Sequence, residues 1–194
     1  MPLVENGLLR RDAPLTINAV SGYSGGGKQM IADYEARSDS HPADLWYSRP
    51  YALGLVHKHV PEMQTYPGLE IAPVFMPSVG HFHQGMLVNI PLHRSFCDGD
   101  FSPERVTEIL RERYQDEPCI EVHAANDTDA LDGGFLDPQG NNHTNRLDLF
   151  AFGHDEQIVL TARLDNLGKG ASAAAVQNLN IMLGTNELEG LALS

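Results

Sequence analysis

Cysteine is nearly absent: the chain holds two, Cys97 and Cys119, among 194 residues. Two cannot build the framework of a disulfide-stapled domain, and there is no Cys-x-x-Cys pair. Positive charge is scarce too. Thirteen Lys and Arg stand against 26 Asp and Glu, for a formal net charge of −13. Such a chain repels phosphate backbones, and no basic cluster offsets the field, so nucleic acid is excluded as a main partner. No apolar run approaches the roughly 18 residues of a membrane span, so no membrane partner is expected. Met1-Pro2-Leu3-Val4-Glu5-Asn6 lacks the basic and apolar regions of a signal peptide. A cytoplasmic, reducing compartment is the expectation. Repeats, low-complexity tracts and the strict βαβ alternation of a nucleotide-binding fold are also missing.

What remains is enough for a real core: 42% of residues are hydrophobic and only 20% charged. Strands are expected over 15–20, 69–76 and 86–92, with Pro77-Ser78-Val79-Gly80 joining the second to the third. Ser102-Pro103-Glu104 starts a helix, with a capping hydroxyl, proline at the first position and an acid near the positive dipole end. Val106, Ile109 and Leu110 supply its apolar face. Residues 119–123 alternate as a strand, and 146–152 and 157–164 form a hairpin across Gly153-His154-Asp155-Glu156. A helix follows over 171–183, stopped by Gly184. Residues 48–53 and 137–145 read as loops. The pattern predicts an α+β domain: one mostly antiparallel sheet with helices on one face.

Two stretches carry chemistry. Gly22-Tyr23-Ser24-Gly25-Gly26-Gly27-Lys28 follows a strand and fits G-x-x-x-x-G-K. Gln29 stands where a P-loop needs Ser or Thr, and Met30 stands where the third glycine of G-x-G-x-x-G should be, so both nucleotide motifs fail. The loop still suits an anion: glycines let backbone N–H groups converge, while Ser21, Ser24 and Lys28 add donors and a charge. A plain turn capping a helix near Lys28 is the structural alternative. The nine histidines include the pairs His57-Lys58-His59 and His81-Phe82-His83. On a strand such a pair shares one face, and with Glu62 it could hold a metal. His59-Val60-Pro61-Glu62 reads better as an acid/base pair, the carboxylate orienting the imidazole, and no metal ligand is assigned.

Three ordered segments resemble the N-acetyl-gamma-glutamyl-phosphate reductases. Residues 19–29 resemble that family's Ser-Gly-x-Ser-Gly loop in its shorter, type 2 branch. His57-Lys58-His59-Val60-Pro61-Glu62 resembles its His-Arg/Lys-His-x-Pro-Glu motif. Leu164-Asp165-Asn166-Leu167-Gly168-Lys169-Gly170-Ala171, with the helix through Asn178, resembles its Asp-Asn-Leu-x-Lys-Gly signature. Pro77-Ser78-Val79-Gly80 and Gln84-Gly85-Met86 are also similar to it.

The resemblance implies NADP-dependent reductive dephosphorylation of an acyl phosphate to a semialdehyde in arginine biosynthesis, through a cysteine thioester. It implies a glyceraldehyde-3-phosphate dehydrogenase C-terminal-domain-like fold and a homo-oligomer. His59 and Glu62 would be catalytic. Ser21, Gly22, Ser24 and Lys28 would bind substrate, and Asn166, Lys169 and Gly170 would meet the cofactor. Residues 1–194 would form one catalytic and dimerisation domain, with the last helix, 170–184, returning to the cofactor. The family's NADP-binding domain and its Asn-Pro-Gly-Cys nucleophile are not in the chain. A fragment inactive alone is therefore expected, with Met1 inside a once-longer protein. Another acyl-phosphate or semialdehyde dehydrogenase, a His-rich metal-binding domain and a non-catalytic assembly subunit are the alternatives.

Overall fold

The computed structural model describes residues 1–37, 41 and 44–193. A seven-stranded sheet organises them in the order β2-β3-β1-β4-β7-β6-β5. The strands are β1 (Thr16–Gly22), β2 (Arg49–Pro50), β3 (Val74–Gly80), β4 (Met86–His93), β5 (Ile120–Val122), β6 (Leu147–His154) and β7 (Gln157–Leu164). β4, β7 and β6 run antiparallel, as do the β1–β4 and β2–β3 pairs. Two pairs, β1 with β3 and β5 with β6, are parallel. The sheet is thus mostly antiparallel, and each parallel pair needs the longer connection that a crossover demands.

One face carries Ile17, Ala19, Phe75, Val88, Ile90, Leu92, Leu149, Ala151 and Ile158, in register across the strands. Against it pack α1 (Pro2–Glu5), α3 (Val60–Thr65) and α4 (Pro103–Tyr114), through Leu3, Val4, Val60, Met63, Val106, Ile109 and Leu110. α4 is built as its residues dictate. The Ser102 hydroxyl accepts the Arg105 N–H at 3.2 Å, Pro103 opens the first turn, and Arg111 and Arg113 close the last. α2 (Gly27–Glu35) and α5 (Ala173–Leu183) stand at the end of the sheet where β1 and β7 finish and β4 and β6 begin.

Several boundaries differ from the sequence expectation. The strand expected at 69–76 is Val74–Gly80, so Pro77 to Gly80 belong to β3 rather than to a connector. Proline usually marks an edge; here its neighbour β2 is a two-residue strand. Ser21 and Gly22 end β1 instead of opening a loop. Neither histidine pair lies on a strand: His57 and His59 precede α3, and His81 and His83 lie between β3 and β4. The 168–172 stretch is a wide turn, with the Gly170 N–H on the Asp165 carbonyl and the Ser172 N–H on the Leu167 carbonyl, before regular helix begins.

Candidate active site

A cavity of about 800 Å³ opens over the packed face at this end of the sheet. Ser21, Gly22, Gly25 and Gly26 line one side, and His57, Lys58 and His59 another. Asn166, Arg49, Gln29 and Asp33 add to the polar rim, the Gln29 amide donating to Asp33 at 3.1 Å, with Phe75, Pro77, Val79 and Met86 beneath. The expected imidazole and the expected glycine loop therefore share one space.

His59 sits just ahead of α3. Its Nδ1 lies 2.7 Å from Glu62 Oε2, and both side chains are half exposed. Glu62 does not line this cavity; it faces an apolar one beyond α3. Its reach to the cavity is through the imidazole, whose tautomer it fixes. His57 stacks edge-on against Phe75 at 5.1 Å and lies 5.1 Å from the His59 ring. Burial, then the neighbouring His59 and Lys58, lower its pKa, so its neutral form is favoured.

The glycine loop behaves otherwise than its composition suggests. The N–H groups of Gly22, Tyr23 and Ser24 donate to the carbonyls of Gly85, Phe82 and His83 at 2.9, 2.9 and 3.0 Å. They are engaged in packing and are not free to cradle an anion. Gly22 is needed for that contact, since a Cβ there would come within 2.4 Å of the His83 carbonyl oxygen. Gly27 needs its φ of +76° to turn the chain into α2. Ser24 is buried behind the cavity wall, and Lys28 is exposed and does not line the cavity.

Asn166 fastens the site. Its Oδ1 accepts the Gly85 N–H at 2.8 Å, and its Nδ2 donates to Ser24 Oγ at 3.1 Å. Beside it Asp165 is 1% exposed. Burial alone would raise its pKa, but N–H donation from Gly168, Leu167 and His143, with the Gln84 amide, outweighs burial and holds it below the ordinary carboxylate range. Lys169 donates to Gln177 Oε1 at 2.8 Å, and the Gly170 N–H is held by Asp165. Of the three residues expected at a cofactor, only Asn166 faces the cavity, and the donors of the other two are engaged internally.

Sequence reasoning missed Arg49, in a stretch read as loop; its guanidinium lies 3.9 Å from the Trp46 ring centroid. His81 and His83 take a structural role. His81 Nδ1 lies 3.1 Å from the Trp46 carbonyl oxygen, and both imidazoles pack on Tyr23, which stacks on Tyr34 at 4.8 Å. The two thiols lie elsewhere: Cys97 is in the main core, its pKa pushed up by burial, and Cys119 meets the Asn145 amide at 3.2 Å. On the opposite face Glu121, His123 and Asp148 converge. Arg146 and Arg163 already neutralise those carboxylates, so the group is an ion network and a poor place for a cation.

Known proteins resemble the chain over nearly its whole length. The chain is 46% identical to an N-acetyl-gamma-glutamyl-phosphate reductase 2 of Nostoc sp. over 198 residues, covering 98% of this chain and 61% of that protein. A Brucella ovis N-acetyl-gamma-glutamyl-phosphate reductase is 46% identical over 186 residues, covering 94% and 59%. The chain thus spans about three-fifths of the length of these relatives. Aspartate semialdehyde dehydrogenase II from Vibrio cholerae shares the fold, with a TM-score of 0.65 at 16% identity, covering 94% of this chain and 57% of that one. The family described as semialdehyde dehydrogenase, dimerisation domain, matches residues 1–166, and the chain belongs to it.

Proposed function

We propose that this chain is the substrate-binding and dimerisation part of an NADP-dependent N-acetyl-gamma-glutamyl-phosphate reductase. One observation carries the reading: His59, oriented by Glu62, opens into the same cavity as Ser21, Gly22 and Asn166. In the reductase reading His59 takes the proton of an attacking thiol, whose thiolate displaces phosphate from the acyl carbon; once hydride from NADPH, when bound, has reduced the thioester, His59 would protonate the hemithioacetal oxygen and take that proton back as the aldehyde forms and the thiolate leaves. That thiol is brought to the cavity from another part of the protein, since Cys97 and Cys119 are buried away from it. Ser21 lines the substrate side as a donor. Ser24 and Glu62 act through their neighbours, by holding Asn166 and His59. Lys28, exposed at the start of α2, adds only a positive field at the rim. NADP belongs to the complete reductase; Asn166 is placed at the rim, while Lys169 and Gly170 shape the turn that presents it.

The remaining surfaces suit a partner on each side. The sheet face opposite the helices exposes Val74 and Met76, and the match to a dimerisation-domain family supports pairing of this face with a second copy in a homo-oligomer. α5 turns an apolar stripe outward, which fits docking by a nucleotide-binding domain. In this reading residues 1–194 are a single catalytic and dimerisation domain in a cytoplasmic enzyme. The test is to titrate the chain with N-acetyl-L-glutamate, whose γ-carboxylate stands in for the acyl phosphate, and to follow the histidine ring signals by NMR. Shifts at His57 and His59, without shifts at His123 or His154, are expected. Unmoved His57 and His59 signals at millimolar ligand would remove the reading's basis.

A further inference from the structure

The cavity has a second pole, across the sheet from its glycine wall. Arg49 of β2 pairs with Val79 of β3, which pairs with Ser21 of β1. With strands about 4.8 Å apart, Arg49 starts about 10 Å from Ser21, on the same side of the sheet. Its guanidinium rests on the Trp46 ring, which Arg37 also approaches at 3.9 Å and Tyr34 meets edge-on at 5.3 Å. The ring is thus fixed, and it fixes the guanidinium. Stacking uses the face of the cation and leaves the in-plane N–H donors open. Among the described residues no carboxylate pairs with Arg49, although the chain has 26 acidic side chains. A braced guanidinium that meets no carboxylate among the described residues and opens into a cavity is a site for a planar anion, with Asp33, on the α2 side of the same cavity, bonded to Gln29 instead.

Resting on the acyl-phosphate reading above, we infer that Arg49 is the specificity-determining residue that takes the α-carboxylate of the substrate. An N-acylated glutamyl phosphate is anionic at both ends. Its phosphate adjoins the acyl carbon, which must come to His59. The imidazole cluster lies against Phe75, four residues along β3 from Val79, a separation of about 13 Å. The Arg49 side chain and the glutamyl carbons together span that gap, so the guanidinium meets the end remote from the phosphate. The fork matches two carboxylate oxygens at once, which the single ammonium of Lys58 does not.

Calorimetric titration of this chain with three probes tests the assignment: N-acetyl-L-glutamate, 4-acetamidobutyrate (the same molecule without the α-carboxylate) and inorganic phosphate. The wild-type chain should prefer N-acetyl-L-glutamate by about tenfold or more, the size of one charge-assisted contact. Arg49→Gln should erase that preference and leave the affinity for the other two probes within about twofold. Arg49→Lys, which keeps the charge without the fork, should retain part of it and decides the matter if the Gln variant does not fold. A preference unchanged in either variant overturns the inference. So does equal binding of the two organic probes by the wild type, or an Arg49→Gln defect confined to inorganic phosphate. A wild type that binds neither organic probe overturns the acyl-phosphate reading itself, and the inference with it.

Discussion

The Asn166 side chain holds Ser24 across 142 residues of sequence, its Nδ2 donating to the hydroxyl at 3.1 Å while its Oδ1 takes the Gly85 N–H. One amide therefore ties the glycine loop, the β3–β4 connection and the turn before α5 into a single wall. Replacing it by Ala leaves two partly buried groups without that partner. Asn166→Ala should cost about 1–3 kcal/mol, read as a fall of several degrees in the thermal midpoint. Ser24→Ala removes only one of the two contacts and should cost less. Equal midpoints for Asn166→Ala and the wild type would mean that the wall does not depend on this amide.

His59 and Glu62 separate activity from stability. Their contact is half exposed, so losing it by Glu62→Gln should change unfolding free energy by less than about 1 kcal/mol. In the reductase proposed above, the same change should lower kcat about 10- to 100-fold, since the imidazole keeps its place but loses the group that fixes its tautomer. His59→Ala should lower kcat by about 10²–10⁴-fold with little effect on folding. Steady-state NADPH oxidation beside chemical denaturation separates the two effects. Retained turnover in His59→Ala would leave the cavity without an acid/base group.

Asp165 makes the fold sensitive to acid. Its carboxyl is held below the ordinary range in the folded chain, so ionisation favours folding. The contribution is complete above the ordinary carboxylate pKa of about 4 and disappears as pH falls through the depressed folded value. Asp148 behaves likewise: burial opposes its charge, but Arg146 and Arg163 outweigh burial. Asp165→Asn should destabilise the chain at neutral pH by about 3 kcal/mol and flatten the acid limb of stability, leaving the slope that Asp148 and the more accessible Asp12 and Asp127, also held low, supply. Urea unfolding from neutral pH down to about pH 3 would show both effects. An acid limb as steep as that of the wild type would place the proton-linked group elsewhere.

Much of this was legible in the chain, and the reason is locality. Ser102-Pro103-Glu104, the hairpin at Gly153 and the stop at Gly184 are signals confined to a few neighbouring residues. His59 and Glu62 are three apart and meet directly for the same reason. The remainder depends on contacts remote in sequence. The parallel pairing of β1 with β3 cannot be seen in alternation alone, and it is what carries Pro77 to Gly80 into the sheet. Arg49 gains its meaning only when β2 docks on β3 beside Trp46. In the glycine loop, composition does not say which N–H groups packing takes: those of Gly22, Tyr23 and Ser24 bond to the carbonyls of Gly85, Phe82 and His83, 59 or more residues away.

α5 is built inside out. Gln177 and Asn180 face the body of the domain, bonded to Lys169, Asn145 and Glu187 and to the carbonyls of Glu187 and Glu189. Val176, Leu179, Met182 and Leu183 point outward, with Met182 83% exposed. Their spacing of three and four residues makes one continuous stripe, the kind of exposed apolar surface that marks an interface. The polar side already anchors the helix, so the stripe contributes little to this domain's own stability. Leu179→Glu with Met182→Glu should therefore leave the chain's unfolding free energy within about 0.5 kcal/mol of the wild type. In the reductase proposed above, the same pair should uncouple a nucleotide-binding domain docked there, seen as a raised KM for NADPH and faster proteolysis between domains. Marked unfolding of the chain alone would show instead that the stripe packs on its own body, and the docking role of α5 would fall.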